Sequence, residues 1–101
     1  MNVQVAFHTA VMSGDNDEIR ALHARGADVD RPFGDGMLPV LLTAQEGHVE
    51  SIRVLHELGA DVNKCDVYGR SSVFGAAANG CVECVRVLVE LGADVNKCNI
   101  R

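Results

Sequence analysis

Gly59-Ala60-Asp61-Val62-Asn63-Lys64-Cys65 returns without a change as Gly92-Ala93-Asp94-Val95-Asn96-Lys97-Cys98, and its first four residues also stand at Gly26-Ala27-Asp28-Val29. The copies begin at residues 26, 59 and 92, a step of 33. Two further glycine series keep that step, Gly14, Gly47 and Gly80 in one and Gly36 and Gly69 in the other. A fixed period of this length marks a repeat architecture, in which each unit is one supersecondary element that cannot bury its apolar side alone.

Each unit reads outward from these glycines. Val49, Ile52 and Leu55 follow helical spacing, with Val54 and Leu58 alongside, and Val82, Val85, Leu88 and Val89 do the same one period later. Both runs predict a helix with one buried stripe. Gly47 and Gly80 break the chain before these helices, and Gly59 and Gly92 fall where a left-handed residue closes one. A shorter helix precedes each. Pro39 suits the first position of the one in the second unit, where its missing N–H has no partner to lose. Ser71 suits the N-cap of one running through Ala78, although Gly75 inside it costs about 1 kcal/mol relative to alanine. Residues 30–36 and 63–69, rich in Asp, Asn and Gly, read as turns.

The first unit differs. Asn16 stands where the others carry Val49 and Val82, and Asp15, Asp17 and Glu18 favour the start of its second helix. A polar outer unit is what a terminal cap needs, so Met1 is expected to begin the array. The third unit keeps its apolar stripe, and Asn99-Ile100-Arg101 reads as the opening of another turn. Continuation of the array, or cover by another subunit, is expected there.

The unit resembles the ankyrin repeat, with its turn glycine, Thr-Pro-Leu-His helix start, Ala-Ala pair, Gly-His loop and closing Gly-Ala-Asp-Val-Asn. The matching stretches are Gly36-Met37-Leu38-Pro39-Val40-Leu41, Ala76-Ala77, Gly47-His48 and Gly59-Ala60-Asp61-Val62-Asn63, and the resemblance covers essentially the whole chain. It implies an all-α solenoid of about three stacked helix-turn-helix units joined by β-turn or hairpin loops. This is one array over 1–101, with repeats near 1–32, 33–65 and 66–98 and residues 99–101 left over. The Thr-Pro-Leu-His segment departs from the pattern as Leu38-Pro39-Val40-Leu41 and Ser71-Ser72-Val73-Phe74. Only Ser71 keeps a hydroxyl in the threonine's place, and only His8 falls in the histidine's place.

The resemblance further implies a partner protein, bound through the turn tips and the exposed side of the shorter helices. Carried onto this chain, the binding residues are Asp35, Met37, Gln45 and Glu46 in the second unit and Val67, Tyr68, Arg70 and Asn79 in the third. Tyr68 and Arg70 lead, because Tyr and Arg are enriched among residues that carry binding energy, and Met37 is an adaptable apolar contact. Asn63 with Leu55, and Asn96 with Leu88, also resemble sites of asparaginyl hydroxylation. The plainer role for this asparagine is to brace the loop between units.

Composition narrows the rest. Hydrophobic residues make up 48% of the 101, without tryptophan, so the core is built from Val, Leu, Ile and Ala. The net charge is −5 and no run of Lys and Arg occurs, which argues against nucleic acid and against an anionic membrane surface. No apolar run approaches the ~20 residues of a membrane span, and Met1-Asn2-Val3-Gln4-Val5 does not read as a signal peptide. A cytoplasmic setting is expected, with the nucleus as the alternative, and the four cysteines as thiols.

Cys81 and Cys84 form a C-x-x-C, but a zinc site needs four ligands and only His48 could join them. Cys65 and Cys98 occupy matching places in units whose helices stack about 8–10 Å apart, beyond the ~7 Å limit of a disulfide, so separate thiols are expected. His23 and His56 repeat one another and read as scaffold. Without a nucleophile elbow, a phosphate loop or a paired-carboxylate cleft, no enzyme, cofactor or metal is expected. The rival readings are a structural or regulatory segment of a larger protein (an enzyme or signalling protein), and a module that self-associates through its C-terminal face.

Overall fold

The computed structural model describes residues 2–96 and 98. The reading of 99–101 as a further turn lies outside them. Six helices follow in order: α1 Val3–Ser13, α2 Asn16–Ala24, α3 Pro39–Glu46, α4 Val49–Glu57, α5 Ser72–Ala78 and α6 Val82–Glu90. The described residues contain no strand, and no helix is long and apolar enough to cross a membrane. The helices pack in pairs, α1 with α2, α3 with α4 and α5 with α6, and the pairs stack in two rows, α1-α3-α5 and α2-α4-α6. The stack measures 37 × 24 × 20 Å. This is the expected all-α solenoid of about three units.

Local chemistry sets the helix ends. Ser71 Oγ accepts from the Phe74 amide at 3.1 Å, and Asp15 Oδ1 accepts from the Glu18 amide at 3.2 Å. Pro39 opens α3, and Gly47 closes it at φ 77, a left-handed conformation that a side chain would strain.

The core runs in columns spaced by the repeat. Phe7 and Val40, Ile19 and Ile52, and Leu22, Leu55 and Leu88 are all buried. The column at the end of each unit gives the direction of stacking. Val29 is 8% exposed and Val62 5%, whereas Val95 is 62% exposed. Each unit is covered by the one after it, and among the described residues the third has none. The expected stripe of α6 is corrected accordingly. Cys84, Val87 and Leu88 are its buried residues, while Val82 and Val89 are exposed. Asn16 is also corrected. Instead of lying on a polar outer face, it turns to the second unit and accepts from the Ser51 hydroxyl at 2.6 Å.

Polar side chains tie the loops in a second series. The Asp94 amide donates to Asn63 Oδ1 at 2.7 Å, and Asn63 Nδ2 donates to the Gly92 carbonyl at 3.1 Å. One unit earlier the Asp61 amide donates to the Asp30 carboxylate at 3.3 Å. In the first unit Gln4 serves instead, accepting from the Asp28 amide at 2.8 Å and donating to its carbonyl at 2.9 Å.

These ties overturn one expectation. Cys65 and Cys98 have Cα atoms 5.7 Å apart and are joined in a disulfide. The spacing of helix axes governs residues on helices. Both cysteines lie in loops, which the Asn63 side chain draws closer together than the helices.

The same closeness explains Gly75. It is buried where α5 crosses α3, and a Cβ there would lie 2.5 Å from Leu41 Cδ1. Alanine gains about 1 kcal/mol in helix propensity, but overpacking against the buried Leu41 costs about 1–3 kcal/mol. Gly75→Ala is therefore expected to lose about 1 kcal/mol in urea unfolding, and a gain in stability contradicts this account of the crossing.

Candidate protein-binding surface

The two turns between units stand side by side. In the first, the Phe33 amide donates to the Met37 carbonyl at 2.7 Å and the Gly36 amide to the Phe33 carbonyl at 2.8 Å. In the second, the Asp66 amide donates to the Arg70 carbonyl and the Gly69 amide to the Asp66 carbonyl, both at 3.0 Å. The Val67 side chain packs on Gly36, where a Cβ would come within 2.7 Å of it. Gly36 is thus required twice, for φ 87 and for the approach of the neighbouring turn.

Different interactions fix the two turns. Phe33 stacks on His8, with ring centroids 4.1 Å apart and planes 16° apart, and His8 Nε2 donates to the Arg31 carbonyl at 3.0 Å. Asp35 Oδ1 accepts from the Met37 amide at 3.0 Å. In the second turn Asp66, its side chain without exposed surface, replaces the phenylalanine. Its Oδ1 accepts from the amides of Tyr68 at 2.9 Å and Arg70 at 2.8 Å. Its Oδ2 accepts from Arg70 Nε–H at 2.7 Å. Burial alone would push the Asp66 pKa up; the Arg70 amide and guanidinium and the Tyr68 amide outweigh it and hold the carboxyl below its ordinary value.

The residues singled out in the sequence separate into two groups. Asp35, Met37, Val67, Tyr68 and Arg70 cluster on the paired turns. Gln45 and Glu46 end α3, a helix of 8 residues, and Asn79 caps the end of α5, a helix of 7, so a helix of about 10–12 Å lies between the groups. Val67 and Tyr68 are 71% and 66% exposed, and Met37 is half-buried beside them. Arg70 is less free. Its Nε is committed to Asp66 and its guanidinium lies 5.2 Å from the Tyr68 ring centroid, so it positions the tyrosine as well as offering a charge.

A second exposed apolar area escaped the sequence reading in part. Phe74 joins Val82, Val89 and Val95 among the exposed large hydrophobics. Its signal lay in the period, since Leu41 occupies the matching place and is covered by Gly75 of the next unit. At the opposite end an open groove of about 430 Å³ runs between α1 and α2, lined by Val5, Ala6, Thr9, Leu22 and Arg25 among others. Cys81 and Cys84 are free thiols, and the Cys84 thiol is pushed up to about 12, chiefly by burial. No group of three or more metal-binding side chains occurs among the described residues.

A family model described as ankyrin repeats (3 copies) matches residues 7–99. No curated protein matches the chain.

Asp66 makes the second turn sensitive to acid. Its folded pKa is depressed, so its contribution is complete above the unfolded value, near 3.8, and is lost as pH falls through the folded value. Asp30, raised mainly by burial, acts in the opposite sense. Asp66→Asn is expected to cost about 2 kcal/mol at neutral pH and to flatten the fall in urea midpoint below pH 4. An unchanged slope in that range contradicts the assignment.

Proposed function

The chain belongs to the ankyrin-repeat family, and on that premise we propose that it binds a partner protein through its paired turn tips, with Tyr68 at the centre. Ankyrin repeats are in general protein–protein interaction modules. One observation carries the finer reading. Val67 and Tyr68 are exposed apolar residues on a turn whose backbone is pinned by a buried carboxylate. A rigid aromatic that is already ordered loses little entropy on binding, which is what a hot spot requires. Arg70 lies against it, Asp35 and Met37 stand on the neighbouring turn, and Gln45, Glu46 and Asn79 extend the footprint along the ends of α3 and α5.

The net charge of −5, without a basic cluster, favours a protein partner over a phosphate backbone or an anionic membrane. The proposal carries no catalytic residue, and its setting is the cytoplasm or the nucleus. A second reading, self-association, is favoured by the exposed Phe74, Val82, Val89 and Val95 of the third unit.

Affinity capture from native extract identifies the partner, and titration then measures its affinity. Tyr68→Ala is expected to weaken binding by about tenfold or more while thermal unfolding stays unchanged. Asp17→Ala, in the first turn of α2, leaves binding as it was. Equal affinity for the Tyr68 variant removes the turn from the proposal. Light scattering over a range of concentrations tests the second reading, which a constant monomer mass excludes.

A further inference from the structure

We propose that Cys65 and Cys98 form a reversible thiol–disulfide exchange site that takes small disulfides and locks the third unit onto the second. The pair spans residues 66–97, so the bond between them closes a loop holding both α5 and α6. The third unit is also where such a lock acts most strongly. Among the described residues it leans on one neighbour only, and Phe74, Val82, Val89 and Val95 remain exposed on its outer side. End units of a stack open first, because each unit is held by its neighbours alone.

The bond is not the only tie between the two loops. Asn63, two residues before Cys65, makes two hydrogen bonds to the loop that leads to Cys98. These bonds hold the loops in register, and the Cα atoms of the two cysteines are 5.7 Å apart, within the separation a disulfide needs. Both cysteines are half-buried, open to a small reagent. The other two cysteines are placed differently. Cys84 is buried and stays protonated, and Cys81 Sγ accepts from the Cys84 amide as the cap of α6.

The exchange balances with a low-molecular-weight disulfide such as oxidised glutathione. One cysteine loses its proton to water, and its thiolate attacks a sulfur of the small disulfide. A mixed disulfide forms and one small thiolate leaves. The second cysteine, likewise deprotonated, attacks the protein sulfur of that mixed disulfide. The bond between Cys65 and Cys98 forms, and the second small thiolate leaves. Two protein thiols are oxidised, one small disulfide is reduced to two thiols, and the two protons pass through water to the departing thiolates. A small dithiol reverses the sequence.

The test is amide hydrogen exchange on the whole chain, in oxidised glutathione and then in dithiothreitol, with non-reducing peptide mapping to locate the bond. Joining Cys65 to Cys98 is expected to slow exchange in α5 and α6 by at least about tenfold, since the opened unit becomes a closed loop. Exchange in α1 and α2 stays the same. Cys65→Ser and Cys98→Ser each behave like the reduced protein in both conditions, and Cys81→Ser retains the difference. The proposal is overturned if mapping finds Cys65 and Cys98 unpaired after oxidation. Equal exchange of α6 in the two states overturns it too, as does equal slowing of α1, α2 and α6.

Discussion

Every helix pair in this chain has an apolar outer face that only the next pair can cover. Two short helices cannot hide Ile19 and Leu22, or Ile52 and Leu55, between themselves, yet all four are buried. Each such side chain contributes about 1.5–3 kcal/mol when withdrawn from water. The neighbours that withdraw it arrive 33 residues later in the chain. Stability is therefore a property of adjacent pairs, and the array has direction. Val29 and Val62 are closed off by the following unit, and Val95 is left open.

Polar ties do a different task. Gln4, Asp30 and Asn63 each reach the amide of the Asp in a Gly-Ala-Asp segment. They add little to the apolar term, since one exchanged hydrogen bond is worth about 1 kcal/mol, but they set the register of the loops. They also bring the loops closer than the helix rows, which is why a disulfide fits between Cys65 and Cys98. The ion pairs Arg20–Glu57 and Arg53–Glu90, which also cross between units, are exposed and carry little energy.

On this frame the turns are free to differ. One is braced by a ring stack of His8 on Phe33, the other by the buried Asp66 carboxylate. The two solutions yield turns that lie against each other, Val67 on Gly36. What reaches solvent is then a matter of which side chains the turns carry, and Val67 and Tyr68 are the apolar ones. The same separation of frame and surface lets a repeat family change partners without changing its fold.

The period, the glycine registers, Pro39 and Ser71 were enough to place the helices and to fix an all-α stack, because each of these signals is local or repeats at a constant step. The paired turns were legible too, as stretches rich in Asp, Asn and Gly between the helices. Other features depended on distances between units, which spacing along the chain does not contain. The contact of Leu41 with Gly75, Asn16 turned inward to Ser51, and the exposure of Val82 and Val89 all belong to that group. The disulfide is the clearest case. The sequence shows two cysteines one period apart, but whether they meet depends on how close the loops come, and only the stacked structure decides that.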